Sequence, residues 1–122
     1  MDILVYMAAA VTGAWGIAHL FATRRVVVGF GELSADNRRI ITMEWIVEGV
    51  ALISLGSLVA AVTAVDGPSA VSSAAYAVAI ATLVGLAVVS LFTGFRVAFL
   101  PFRLCPFIFG ASAALIAAGA WL

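Results

Sequence analysis

Apolar residues come in four long blocks along this chain, and the polar residues between them are bunched rather than spread. A helix needs about 20 apolar residues to cross the hydrocarbon of a bilayer. Residues 3–22, 40–64, 70–95 and 102–122 each meet that length. The pattern predicts an all-α protein, a single domain forming an integral membrane bundle of four transmembrane helices. The first block follows Met-Asp without a leading basic cluster and ends at Thr23-Arg24-Arg25. It reads as a retained span rather than a cleaved signal.

The connections carry their own signals. Val65-Asp66-Gly67-Pro68-Ser69 is a tight turn broken by Gly-Pro, so spans two and three should be antiparallel neighbours. Ser34 is a candidate N-cap, with Asp36 near the positive end of the helix dipole. Helix two would then begin about two turns before the membrane. The segment Phe99 to Phe107 holds two prolines, three aromatics and Arg103, and reads as an elbow at the interface.

All six basic residues are arginines, and all lie on two connections: Arg24, Arg25, Arg38 and Arg39 flank the first, Arg96 and Arg103 the third. The positive-inside rule therefore puts those connections in the cytoplasm of a bacterial-type inner membrane and both termini on the other side.

Composition agrees with the pattern. Of 122 residues 66% are hydrophobic and only 10% charged, and the mean hydropathy is +1.25. A soluble domain of this size could not hide so much apolar surface, so lipid is the expected partner. Zero net charge argues against nucleic acid. One cysteine, Cys105, excludes an internal disulfide and a cysteine-built zinc site, and no metal is expected. The absence of lysine excludes retinal or pyridoxal Schiff bases.

Charged groups inside hydrocarbon are costly and need explaining. At about 1.5 Å per residue, Glu44 lies about 6 Å and Glu48 about 12 Å into span two. His19 is near the end of span one, at a level like that of Glu44, and Arg96 ends span three. Glu44 and Glu48 share a helix face. Thr12, Gly16, His19 and Thr23 form a stripe on span one, and Gly49 and Gly56 mark the packing face of span two. His19, Glu44, Glu48 and Arg96 are thus the candidates for a ligand or proton site in the cytoplasmic leaflet, with Trp45, Thr93 and Arg103 as secondary members. Each has a structural alternative: a helix-to-helix hydrogen bond for His19, a snorkelling arginine partner for Glu44, a headgroup anchor for Arg96, an interfacial aromatic for Trp45, and plain packing for Cys105.

The chemistry this permits is acid–base. A desolvated glutamate beside a histidine could exchange protons near neutrality, for transport, for quinone protonation or for isomerising a lipophilic substrate. A bis-histidine haem cannot come from one histidine in a monomer, although a second copy or Met43 could supply the other ligand. Gly16-Ile17-Ala18-His19, closing the first span, resembles the small bacterial DoxX-like four-helix membrane proteins. That resemblance implies a histidine near the cytoplasmic end of the first helix and association with membrane oxidoreductase or thiosulfate:quinone complexes. Ser90 to Phe95 is superficially similar to a third-span motif of small fluoride channels, but span two lacks their intramembrane asparagine. The expected function is binding of a small molecule or lipid at a proton-active site, within a larger redox or transport complex. The alternatives are a structural subunit without chemistry of its own, or a homo-oligomeric transporter.

Overall fold

The structure is a computed structural model and describes residues 2–122. Its elements are α1 (Asp2–Gly29), α2 (Ala35–Asp66), α3 (Ala70–Phe92), a 3-10 turn (Gly94–Arg96) and α4 (Leu100–Trp121). No strand occurs among the described residues. All four helices are long and apolar enough to cross a membrane. Their outward faces are rich in large apolar side chains such as Phe21, Val65, Val71 and Phe92.

Local chemistry sets the boundaries. Ser34 caps α2, its hydroxyl accepting the Asn37 amide at 3.1 Å. At the opposite end Gly67 takes φ +49°, a conformation that side chains resist, and this turns the chain. Ser69 then starts α3 with a reciprocal capping box to Ser72. α1 continues to Gly29, past the boundary at residue 22 that hydropathy alone suggests, because Val26 and Val27 are buried after the arginine pair. The third block ends as α-helix at Phe92, and α4 begins at Leu100 with Pro101 in its first turn.

The helices form a ring in chain order. Neighbours touch, α4 closes back on α1, and no α1–α3 or α2–α4 backbone contact is made. The α1–α2 seam is the tightest. A β-carbon added at Gly16 would lie 2.7 Å from the Gly49 carbonyl oxygen, and one at Gly56 would lie 2.6 Å from that of Ala9. Glycine at these positions lets the two backbones meet, which matters where lipid offers no hydrophobic drive between helices. The interior is filled by Val5, Leu52, Val59, Leu83, Phe109 and Ile116.

Candidate functional site

The Gly16–Gly49 contact sets the register that builds the site. One turn beyond it on α1, His19 is 5% exposed, and its Nε2 lies 3.5 Å from Glu48 Oε1 on α2. Its other nitrogen, Nδ1, lies 3.1 Å from the backbone oxygen of Trp15. A carbonyl oxygen can only accept, so Nδ1 carries the hydrogen. In neutral histidine Nε2 is then a bare acceptor facing a carboxyl oxygen. Two acceptors attract only if a proton lies between them, carried by the imidazole or by the acid. At 3.5 Å the separation is long for a hydrogen bond, and a proton on either group would make the contact attractive.

Aromatic side chains enclose it. The Trp45 indole stacks on the imidazole at 4.5 Å and 23°, and its N–H donates to the His19 carbonyl oxygen at 2.7 Å. Thr23 donates to that same oxygen at 3.1 Å. Trp15 meets the imidazole edge-on at 6.0 Å, and Phe102 meets Trp45 edge-on at 5.4 Å. A cavity of about 130 Å³ lies against this cluster, lined by Trp15, His19, Trp45, Phe102 and Cys105 among others. That is close to the roughly 150 Å³ of an engineered cavity that stays dry and takes up benzene. The indole N–H of Trp15 is buried and meets no strong acceptor, only the weakly accepting sulfur of Cys105. Glu48 faces the other way as well: its side chain is 39% exposed and edges an outer groove with Glu44, Trp45 and Phe102.

The candidates thus separate. His19, Glu48 and Trp45 come together. Sequence spacing levels His19 with Glu44, but the glycine register pairs it with Glu48 one turn deeper. Glu44 is exposed and forms no ion pair among the described residues. Arg96 is likewise exposed, on the 3-10 turn, and does not pair with Glu44. Thr93 donates to the Val89 carbonyl at 2.6 Å, as the C-cap of α3. Arg103 lies over the Phe95 ring at 5.4 Å. Trp45, about three turns into α2, is a wall of the site. Three participants escaped the sequence reading: Trp15, Phe102 and Cys105 as a cavity wall. Trp15 had a signal, since it sits four residues before His19 on the same helix face. Phe102 had none, because only the fold of the elbow swings α4 across to Trp45.

No group of three or more histidine, cysteine or acidic side chains able to hold a metal ion occurs among the described residues. Compared with family models, curated proteins and solved structures, the chain gave no significant match.

Proposed function

We propose that this chain is a multi-pass protein of the inner membrane that binds a small lipophilic molecule or lipid at a proton-active His19–Glu48 site in the cytoplasmic leaflet, within a larger redox or transport assembly. One observation carries the reading. A buried imidazole lies 3.5 Å from a partly exposed carboxyl group, directly beside a cavity of about 130 Å³ walled by Trp15, Trp45 and Phe102. Desolvation strengthens such an interaction and makes proton exchange with a bound group a plain chemical use for it. The resemblance of the first span to DoxX-like proteins supports the same reading. Orientation rests on the arginines, all at the end of the bundle that holds His19.

The structural-subunit alternative has an observation of its own. Trp45 stacks on His19 and bonds its carbonyl, which ties α2 to α1 without any ligand. Variants distinguish the two readings. His19→Gln and Glu48→Gln should insert and fold as wild type, while a small molecule retained through purification and detected by mass spectrometry should be lost. Unfolding of both variants, or unchanged retention in both, would favour the structural reading. Reporter fusions at Leu122 and at Gly67-Pro68 should both behave as periplasmic, and a cytoplasmic result at either overturns the orientation.

A further inference from the structure

The arginine end of the bundle carries a third concave feature, which shares Phe102 with the His19 cavity and Val26, Phe30 and Phe102 with the outer groove beside Glu44 and Glu48. It is a groove of about 540 Å³ between the last turns of α1 and the elbow before α4, walled by Val26, Phe30, Val97, Phe99 and Phe102, with Arg25 at its rim. Its volume is in the range of ordinary ligand sites. The Arg25 guanidinium lies over the Phe99 ring, 5.4 Å from its centroid. A guanidinium over an aromatic ring still has its fork of N–H donors available, and that fork matches a phosphate in bidentate fashion. Arg25 has no carboxylate partner. The ion pairs among the described residues are Arg39–Asp36 and His19–Glu48. An arginine with no ion-pair partner among the described residues, at the rim of an apolar trough, is complementary to an amphiphile with an anionic head.

We propose that this groove is a binding site for an anionic phospholipid, with its phosphate on Arg25 and an acyl chain between Val26, Phe30 and Phe102. The proposal rests on the membrane reading above but not on the chemistry of His19. Phe102 also lines the His19 cavity, so a lipid seated there contacts a wall shared with that site.

The test is native mass spectrometry of the purified full chain, titrated with phosphatidylglycerol or with phosphatidylcholine of the same acyl chains. Phosphatidylglycerol should be retained about tenfold more tightly, which is about 1.4 kcal/mol. Arg25→Gln should erase the preference, and Arg38→Gln, on α2 away from the groove, should keep it. Gly29→Phe tests the chain. Gly29 lines the groove, and a β-carbon there meets nothing within 4 Å, so the variant can fold while filling the trough. It should abolish retention with Arg25 intact. Glycerol phosphate, which has no acyl chain, should not compete. Equal retention of the two lipids, equal loss in Arg25→Gln and Arg38→Gln, unchanged retention in Gly29→Phe, or competition by glycerol phosphate would each overturn the site. These results are separable from failure of the proposed function: His19→Gln should leave lipid retention intact, and a reversed topology would not move the groove.

Discussion

The bundle holds two buried polar clusters, one near each end, and they satisfy the same physical requirement in opposite ways. At the turn end, Thr63 donates to the Val59 carbonyl at 2.7 Å, which leaves its oxygen to accept from the Tyr76 hydroxyl at 2.8 Å. Nearby, Ser72 donates to the Gly67 carbonyl and exchanges capping bonds with Ser69, whose hydroxyl in turn meets Asp66. Every hydroxyl hydrogen there has an acceptor, and none of these buried groups changes charge near neutrality. At the arginine end the cluster is aromatic and titratable. It has His19 3.5 Å from Glu48, an indole N–H whose acceptor is the weak Cys105 thiol, and a cavity beside them. Closed hydrogen bonding is what a structural cluster needs. The cavity and the titratable pair beside it have no counterpart at the turn end, and the proposed binding rests on that difference.

The largest effect should come from the α1–α2 seam, which sets the register of His19 against Glu48. In Gly16→Leu the new β-carbon would stand 2.7 Å from the Gly49 oxygen and 2.9 Å from the Ile53 nitrogen, both backbone atoms that cannot rotate away. The helices must separate, and overpacking of that kind costs about 3 kcal/mol. Gly56→Leu should behave alike, against the Ala9 carbonyl and Gly13. Ala61→Leu, on an exposed face, should be silent in the same thermal unfolding measurement. If Gly16→Leu were tolerated as well as Ala61→Leu, the register that joins His19 to Glu48 would be wrong, and the contrast between the two ends would lose its basis.

The turn-end cluster gives the next effect, and it is asymmetric. Thr63→Val leaves the Tyr76 hydroxyl, in a residue only 6% exposed, with no acceptor. A buried group left unpartnered costs about 1–3 kcal/mol. Tyr76→Phe removes the donor while Thr63 keeps its bond to Val59, and should cost about 1 kcal/mol. The double variant should be no worse than Thr63→Val alone. Equal costs for the two single changes, measured by denaturation in mixed micelles, would mean that the proton order of this cluster is reversed.

How far such clusters were legible before the fold was known differs between the ends. The turn at Gly67-Pro68, the cap at Ser34 and the four apolar blocks all rest on local chemistry, and local chemistry is written in consecutive residues. Thr63–Tyr76 was not foreseen, because a hydroxyl pair across two helices leaves no spacing signature. At the other end, the types of residue were readable from the cost of burying charge: His19 and Glu48 are what remains after topology has accounted for the arginines. Their partnership was not, since counting along each helix separately levels His19 with Glu44. The register between α1 and α2 comes from Gly16, Gly49 and Gly56, whose contact face was readable but whose offset was not. Phe102 enters only through the elbow.

Capping should give a smaller change. Ser69→Ala removes the hydroxyl that accepts the Ser72 amide at 3.0 Å and that meets Asp66. Loss of an N-cap side chain costs about 1 kcal/mol. Ser69→Asp, which keeps an acceptor and adds charge beside the helix N-terminus but faces Asp66, should recover only part of it. Binding at the His19 end should be untouched by either change, which a ligand-retention measurement on the same variants would check.

The smallest stability effect, and the sharpest functional division, lies between two glutamates one turn apart on one face of α2. Glu44 is exposed and unpaired, so Glu44→Gln should shift stability by no more than about 0.5 kcal/mol. Glu48 is also partly exposed, and its contact with His19 is 3.5 Å, long for a hydrogen bond, so solvent screening keeps the stability change of Glu48→Gln under about 1 kcal/mol. Function should split them. The amide at position 48 can donate a hydrogen to Nε2 and so hold the imidazole in place, but it cannot give up or take a proton. Glu48→Gln should therefore keep the fold and the His19–Trp45 stack while removing any pH dependence of ligand binding, and Glu44→Gln should keep all three. The readout is the histidine ring resonance in isotope-labelled protein in nanodiscs, followed with pH beside ligand retention. If Glu44→Gln altered the titration of His19 as much as Glu48→Gln did, the proton position would belong to the outer groove rather than to the pair. If neither change altered it, the two ends of the bundle would be structural clusters of the same kind.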